Sequence, residues 1–74
     1  MNSKPVDPPK LVWITGFGNP SQGLLVEWRK RKKRGHEEWA GVVVHVVTYR
    51  TQEGSEWSVR VDVMSESQFK SARP

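Results

Sequence analysis

Cysteine is absent from this chain of 74 residues. Its absence excludes a disulfide framework and any thiolate metal site, and it is typical of proteins in a reducing compartment. No apolar run approaches the roughly 20 residues needed to cross a bilayer, and the first residues lack the apolar stretch of a secretory signal. We therefore expect a soluble, cytoplasmic protein without membrane contact.

Leucine and alanine are scarce, with three and two copies against eleven valines and four tryptophans. Valine and tryptophan favour strands, whereas leucine and alanine favour helices. A chain of this length forms one domain, whose single core covers only about 60% of the surface of the unfolded chain. The composition predicts one small, mainly antiparallel all-β domain.

Proline is concentrated at the N-terminus, where the first ten residues hold three of the five prolines and no apolar periodicity. We therefore expect residues 1–10 to form a flexible tail and residues 11–74 to form the domain. Glycine-containing turns separate four strand-forming segments, at residues 11–14, 24–34, 36–50 and 57–63. In the second segment Leu24, Val26 and Trp28 are predicted to face inward.

The segment Ser65-Glu66-Ser67-Gln68 has the form of a capping box, which predicts a helical or 3₁₀ turn near residues 65–70. Four or five strands with such a turn before the last one resemble, in topology only, a Src-homology-3-like barrel. The resemblance implies a small closed barrel, and a strongly bent open sheet is the alternative. It implies no peptide-binding function, because the acidic and tyrosine-rich segments of the signalling members are missing.

Alternation of apolar and polar residues is clearest in the last long segment. Its apolar residues are predicted to face inward: Trp57, Val59, Val61 and Val63. All four tryptophans, the others being Trp13, Trp28 and Trp39, fall on the predicted inner faces of strands, so we expect them to build the core. Four indoles are hard to bury fully in so small a domain. An exposed patch that includes Phe17 in the glycine-rich loop would suit a partner protein or an unpaired base.

Six consecutive cations form the basic run: Arg29, Lys30, Arg31, Lys32, Lys33 and Arg34. The net charge of the chain is +4, and removing the basic run leaves six cations against eight acids, a net of −2. Basicity is therefore a local property of this segment. Gly35 follows it and predicts a hairpin that turns near Arg34-Gly35.

A two-residue turn at this point places Lys32 opposite Glu37 and Arg31 opposite Glu38. Two acids then offset part of the charge of the basic run, which leaves a surplus of about four positive charges at the hairpin tip. Clustered cations gather phosphates and release condensed counterions without reading bases. Trp28 and Trp39 at the base of the hairpin could stack on unpaired bases if they are exposed.

The sequence contains few residues that could carry out catalysis. His36 lies beside two glutamates in the turn and His45 lies within a valine-rich strand, but no spacing predicts three converging metal ligands or an acid placed to work with either histidine. We expect no enzymatic activity, no cofactor, no metal and no small-molecule substrate.

Two functions remain open. The first is a nucleic-acid-binding domain, for DNA or RNA, that uses the basic run with little sequence selectivity. The second is a protein–protein interaction module that uses an aromatic patch (Phe17, Trp28, Trp39) or a free strand edge. The basic run could also be only a solvated tip that guards an edge against aggregation.

Overall fold

Five antiparallel strands form one sheet in the computed structural model, which describes residues 3–16 and 18–72. The strands are β1 (Ser3–Ile14), β2 (Ser21–Lys33), β3 (His36–Thr51), β4 (Gly54–Ser65) and β5 (Phe69–Ser71). Their order across the sheet is β4-β3-β2-β1-β5, and the described part of the chain measures 45 × 29 × 21 Å. The prediction of an antiparallel all-β domain with four or five strands is confirmed.

The sheet is open, with β4 and β5 at its two edges. The predicted closure into a barrel is therefore wrong, and an open sheet, the alternative, is observed. The physical reason is the length of the last strand, because β5 has three residues and pairs only with Val12, Trp13 and Ile14 of β1. Three residues on one edge cannot also bridge to the twelve residues of β4.

A 3₁₀ turn (Glu66–Gln68) joins β4 to β5, as the capping box predicts. The Gln68 side-chain oxygen accepts a hydrogen bond of 3.1 Å from the backbone N–H of Ser65. The Gln68 backbone oxygen accepts a second one, of 2.8 Å, from the N–H of Thr15. In the described residues this turn is the one helical element, and no helix there is long and apolar enough to cross a bilayer.

One face of the sheet, which we call the core face, carries the buried cluster. Its members are Val12, Ile14, Leu25, Val43, Met64 and Phe69, with Val6 and Trp28 packed against them. Phe69 comes from β5 and places its ring 5.8 Å from the ring of Trp28, centre to centre. The 3₁₀ turn and β5 thus return the chain to the core face and complete the core there.

A β-bulge in β2 decides which residues of this strand reach the core. The pairing with β3 shifts between Leu25 and Glu27, so Val26 is an extra residue without a partner. Leu25 is consequently buried, and Leu24 is exposed. The prediction that Leu24, Val26 and Trp28 share the inner face is wrong for Leu24, because simple alternation does not anticipate the bulge.

The N-terminal segment belongs to the sheet. β1 begins at Ser3, its residues 3–5 pair with residues 27–29 of β2, and Val6 packs against the core. This placement differs from the tail that the prolines predict for residues 1–10. Strand β5 covers only residues 12–14 of β1, so the prolines lie on a free edge, where a missing N–H costs no ladder hydrogen bond.

The opposite face of the sheet, which we call the open face, is apolar and exposed. Trp57, Val59 and Val61 of β4 are 68%, 58% and 61% exposed. The prediction that they point inward, and that Trp57 helps to build the core, is therefore wrong. Alternation distinguishes the two faces of a strand but does not say which face the rest of the chain covers, and here the cover lies on the core face.

Candidate nucleic-acid interface

The basic run lies at the end of the β2–β3 hairpin, which turns through two residues. Arg34 and Gly35 both have positive φ, 53° and 81°, and Lys33 pairs with His36 across the turn. Two consecutive positive φ values define the type I′ turn that suits the twist of a hairpin, and glycine adopts one of them without steric cost. The predicted turn at Arg34-Gly35 is confirmed.

The predicted pairing of charges across the hairpin is also confirmed. Lys32 lies opposite Glu37 and Arg31 opposite Glu38. Because side chains alternate along a strand, Arg29, Arg31 and Lys33 lie on the open face while Lys30 and Lys32 lie on the core face. The hairpin therefore presents cations on both sides.

Three cations of the basic run form ion pairs. Nη2 of Arg29 lies 2.8 Å from Oε2 of Glu27, and Nζ of Lys30 lies 3.1 Å from Oε2 of Glu37. Nε of Arg31 donates a hydrogen bond of 2.9 Å to Oε1 of Glu38. With Glu27 as a third acid, beside Glu37 and Glu38, carboxylates offset three positive charges of the basic run rather than the two that the hairpin pairing predicts.

Arg31 also ties the hairpin to the end of β4. Its Nη2 donates a hydrogen bond of 2.8 Å to Oγ of Ser65, and Oγ of Ser65 donates one of 3.3 Å to Oε1 of Glu38. The hydrogen bond from Arg31 is the main cause that lowers the pKa of Glu38 below its ordinary value of 4.5. Arg31 thus serves the fold and is already committed to a carboxylate.

Substitution Arg31→Gln is expected to raise the pKa of Glu38 towards 4.5, because it removes the hydrogen bond and the charge that favour the carboxylate. A lowered folded-state pKa gives stability that is present above the unfolded-state pKa and is lost as the pH falls through the folded-state value. The variant should therefore lose this part of the pH dependence of unfolding in the acid range. An NMR titration of the Glu38 carboxyl carbon measures the shift.

The matched control is Lys32→Gln, which removes an equal charge on the other face of the same strand. It should leave the Glu38 titration close to that of the unsubstituted chain. An unchanged Glu38 titration in Arg31→Gln would contradict the assignment of the hydrogen bond as the cause.

The remaining three cations form the free tip, which we define as Lys32, Lys33 and Arg34. Each is exposed, and within the described residues none of them forms an ion pair with a carboxylate. Nζ of Lys33 lies 3.4 Å from Oγ of Ser65, a neutral group, and its charge also helps to lower the pKa of Glu38 without forming an ion pair with it. The positive charge available to a ligand is therefore concentrated on three consecutive residues.

The aromatic residues proposed for stacking occupy different surroundings. Trp28 is half-buried and packs against Phe69 in the core. The half-buried Trp39 lies beneath two ammonium groups, those of Lys4 at 5.1 Å and Lys30 at 5.8 Å from the ring centre. Phe17 lies outside the described residues.

Sequence reasoning missed the open face as a candidate site. Seven large apolar side chains on it are at least one-third exposed: Leu11, Leu24, Val46, Trp57, Val59, Val61 and Val63. The register places Leu11, Leu24, Val44 and Val61 in one row across four strands. The alternating pattern of β4 was visible in the sequence, but only the fold decides that these residues face away from the core.

The two histidines lie in different places, His36 opposite Lys33 of the free tip and His45 on the core face. His36 is exposed at the turn, and Nε2 of the half-buried His45 lies 2.6 Å from Oδ2 of Asp62 on the core face. No three His, Asp or Glu side chains among residues 3–16 and 18–72 lie close enough together to hold a metal ion.

Comparisons with protein-family models, curated proteins and solved structures find no match for this chain.

Proposed function

We propose that the protein binds the phosphate backbone of nucleic acid, DNA or RNA, through the free tip of the basic hairpin. One observation carries this proposal: within residues 3–16 and 18–72, three consecutive exposed cations form no ion pair with a carboxylate, whereas the other three cations of the same run do. An uncompensated ammonium or guanidinium group can replace a condensed counterion at a phosphate, and the release of that counterion favours binding.

The paired cations contribute less to this binding. Arg29, Lys30 and Arg31 would have to give up a carboxylate before contacting a phosphate, and Arg31 would also lose its hydrogen bond to Ser65. Phosphate contact alone accounts for the proposed binding, because Trp28 is engaged with Phe69 and the ring of Trp39 lies under two ammonium groups. The proposed activity is therefore weakly selective for sequence.

We propose a binding role rather than a catalytic one. The free tip contains cations without an acid, a base or a nucleophile arranged around a substrate pocket. We also propose the cytoplasm as the place of action, since a chain without cysteine gains no stability from an oxidising compartment.

Titration of a short labelled duplex at increasing salt tests the proposal. Three neutralised phosphates give a slope of about −2.7 for the logarithm of the association constant against the logarithm of the salt concentration, or about 40-fold weaker binding at 200 mM than at 50 mM. The variant Lys32→Gln, Lys33→Gln, Arg34→Asn should abolish most of this slope. Asparagine keeps the turn intact because it tolerates positive φ.

The matched control is the triple variant Lys10→Gln, Arg50→Gln, Lys70→Gln, which removes three exposed cations that lie elsewhere and form no ion pair within the described residues. It should retain most of the slope, because net charge alone does not set the number of phosphates contacted. Absence of binding at low salt, or an equal loss in both triple variants, would contradict the proposal.

The second candidate function is an interaction module, and the open face favours it. Exposed apolar patches of this extent mark protein-interaction surfaces in soluble proteins. The exposed apolar side chains of this face lie away from the β2–β3 turn that carries the free tip, although Lys33 of the tip projects on the same face, so the two functions can be tested separately.

A further inference from the structure

The open face carries a large exposed apolar surface. The exposed fractions of its seven large side chains correspond to roughly 600 Å² of apolar area, at the top of the range of about 300–600 Å² for the largest patch on a monomer. Among the described residues, the 3₁₀ turn and β5 pack on the core face, whereas on the open face only the hairpin end is covered, where Ala40 and Val42 are buried, and the seven large side chains stay exposed. An uncovered face of this size indicates an interface.

We propose that the open face packs against the open face of a second copy of this chain, which gives a two-layer β-sandwich. A standard interface needs about 800 Å² on each partner, and the roughly 600 Å² of exposed side chains with a polar rim approaches that area. Five of the seven side chains are valine or tryptophan, which lose little rotamer freedom when they are buried. The proposal deepens the second candidate function by naming its partner.

Charge is arranged to permit this contact. The row formed by Leu11, Leu24, Val44 and Val61 contains no charged side chain. The cations of the open face lie at its margins: Arg29, Arg31 and Lys33 towards the β2–β3 turn, Arg50 beside the β3–β4 turn and Lys70 on the edge strand β5. Packing two sheets face to face therefore buries valine and leucine against each other without burying an unpaired charge.

The two ends of the sheet differ in sign, and this difference selects the orientation. The free tip is positive, whereas the β3–β4 turn at the other end has a net charge of −1, with Glu53 in the turn, Glu56 on the core face and Arg50 on the open face. A two-fold axis along the strands would bring two positive tips together. An axis across the strands brings each positive tip near the acidic turn of the other copy, so the strands of the two layers run antiparallel.

Sedimentation velocity of the whole chain over a range of concentrations tests the dimer. Val61→Lys should weaken self-association by about 100-fold or more, because a two-fold interface contains the substituted position twice. Ser58→Lys adds the same charge to the core face of the same strand and should change it by less than about fivefold. Val61 is exposed in the single chain, so the fold of the variant should be retained, and Val59→Lys repeats the test independently.

Orientation can be read from single cysteines, because the chain has no cysteine of its own. Lys33→Cys and Ser55→Cys lie on the open face at opposite ends of the sheet. Antiparallel packing predicts that the disulfide formed in an equimolar mixture joins the two different variants. Disulfides only between identical variants would overturn the proposed orientation.

Two results would overturn the dimer itself. A chain that remains monomeric at about 0.5 mM has no such interface, and the open face would then belong to a different protein partner. A dimer that survives both Val61→Lys and Val59→Lys would be formed by backbone pairing of the β4 edges instead. Neither result bears on nucleic-acid binding, whose test depends on the free tip alone.

Discussion

Phe69→Ala is expected to lower the free energy of unfolding by about 3–5 kcal/mol. Phe69 is 8% exposed and is the buried residue of β5, the strand that completes the core. Its ring packs against Trp28, so the substitution leaves a cavity and frees the short strand at the same time. A chain of this length has a total stability of only about 4–11 kcal/mol, so the loss is a large fraction of it.

Urea unfolding followed by tryptophan fluorescence measures this loss as a shift of the midpoint at unchanged slope. Lys70→Ala is the matched control, since Lys70 is exposed in the same strand and should change the stability by less than about 0.5 kcal/mol. A loss below about 1 kcal/mol in Phe69→Ala would show that β5 contributes little to the core.

Gly41→Ala is expected to destabilise the fold by about 1–3 kcal/mol, because the added methyl group overlaps the core. A Cβ at this position would lie 2.4 Å from Cζ and 2.7 Å from Cε1 of Phe69, and 2.8 Å from Cδ1 of Leu25. The leucine methyl can turn away, but the phenylalanine ring is held against Trp28. Glycine is thus required in β3 by the approach of the ring and not by its backbone conformation.

Because contact with the Phe69 ring causes the loss, the effect of Gly41→Ala on stability should change sign when the ring is removed. In a Phe69→Ala background only the movable Leu25 methyl group remains close to Gly41, so Gly41→Ala should be neutral or should stabilise the fold by about 0.5–1 kcal/mol, as alanine does in a strand interior. A double-mutant cycle from four urea curves gives the coupling between the two positions. Additive losses would contradict a direct contact between the ring and the position of the missing Cβ.

Local features of the fold were predictable from the sequence because neighbouring residues determine them. A glycine after a charged strand fixes the two-residue turn, and that turn then sets Arg31 against Glu38 and Lys32 against Glu37. The 3₁₀ turn follows from the capping box that Ser65 and Gln68 form.

Features that depend on distant parts of the chain were not predictable. The bulge at Val26 is a shift in the pairing of β2 with β3, and the face of β4 that is covered depends on where β5 returns, which is to residues 12–14 of β1, more than fifty positions away. The prolines of the first ten residues resembled those of a tail because a free sheet edge tolerates them equally well.

The position of the candidate site was predictable, but the number of its cations without an ion-pair partner was not. The sequence located the cations, yet it did not show that Arg29 pairs with Glu27 on its own strand or that Arg31 is held by Ser65 of β4. Ion pairing depends on side-chain geometry across three strands. The structure therefore reduces six candidate cations to three that are available.

The two-residue turn that carries the free tip has a kinetic consequence. Because Arg34 and Gly35 close the hairpin without a longer loop, the tip needs little reordering before it meets a ligand. In the proposed complex with nucleic acid, electrostatic attraction would then bring encounters close to the diffusion limit, up to about 10⁸–10⁹ M⁻¹s⁻¹ at low salt, while three contacts would hold the complex only weakly. The proposal therefore predicts short residence times, and a protein that dissociates this quickly would sample many positions along a polyanion instead of settling at one.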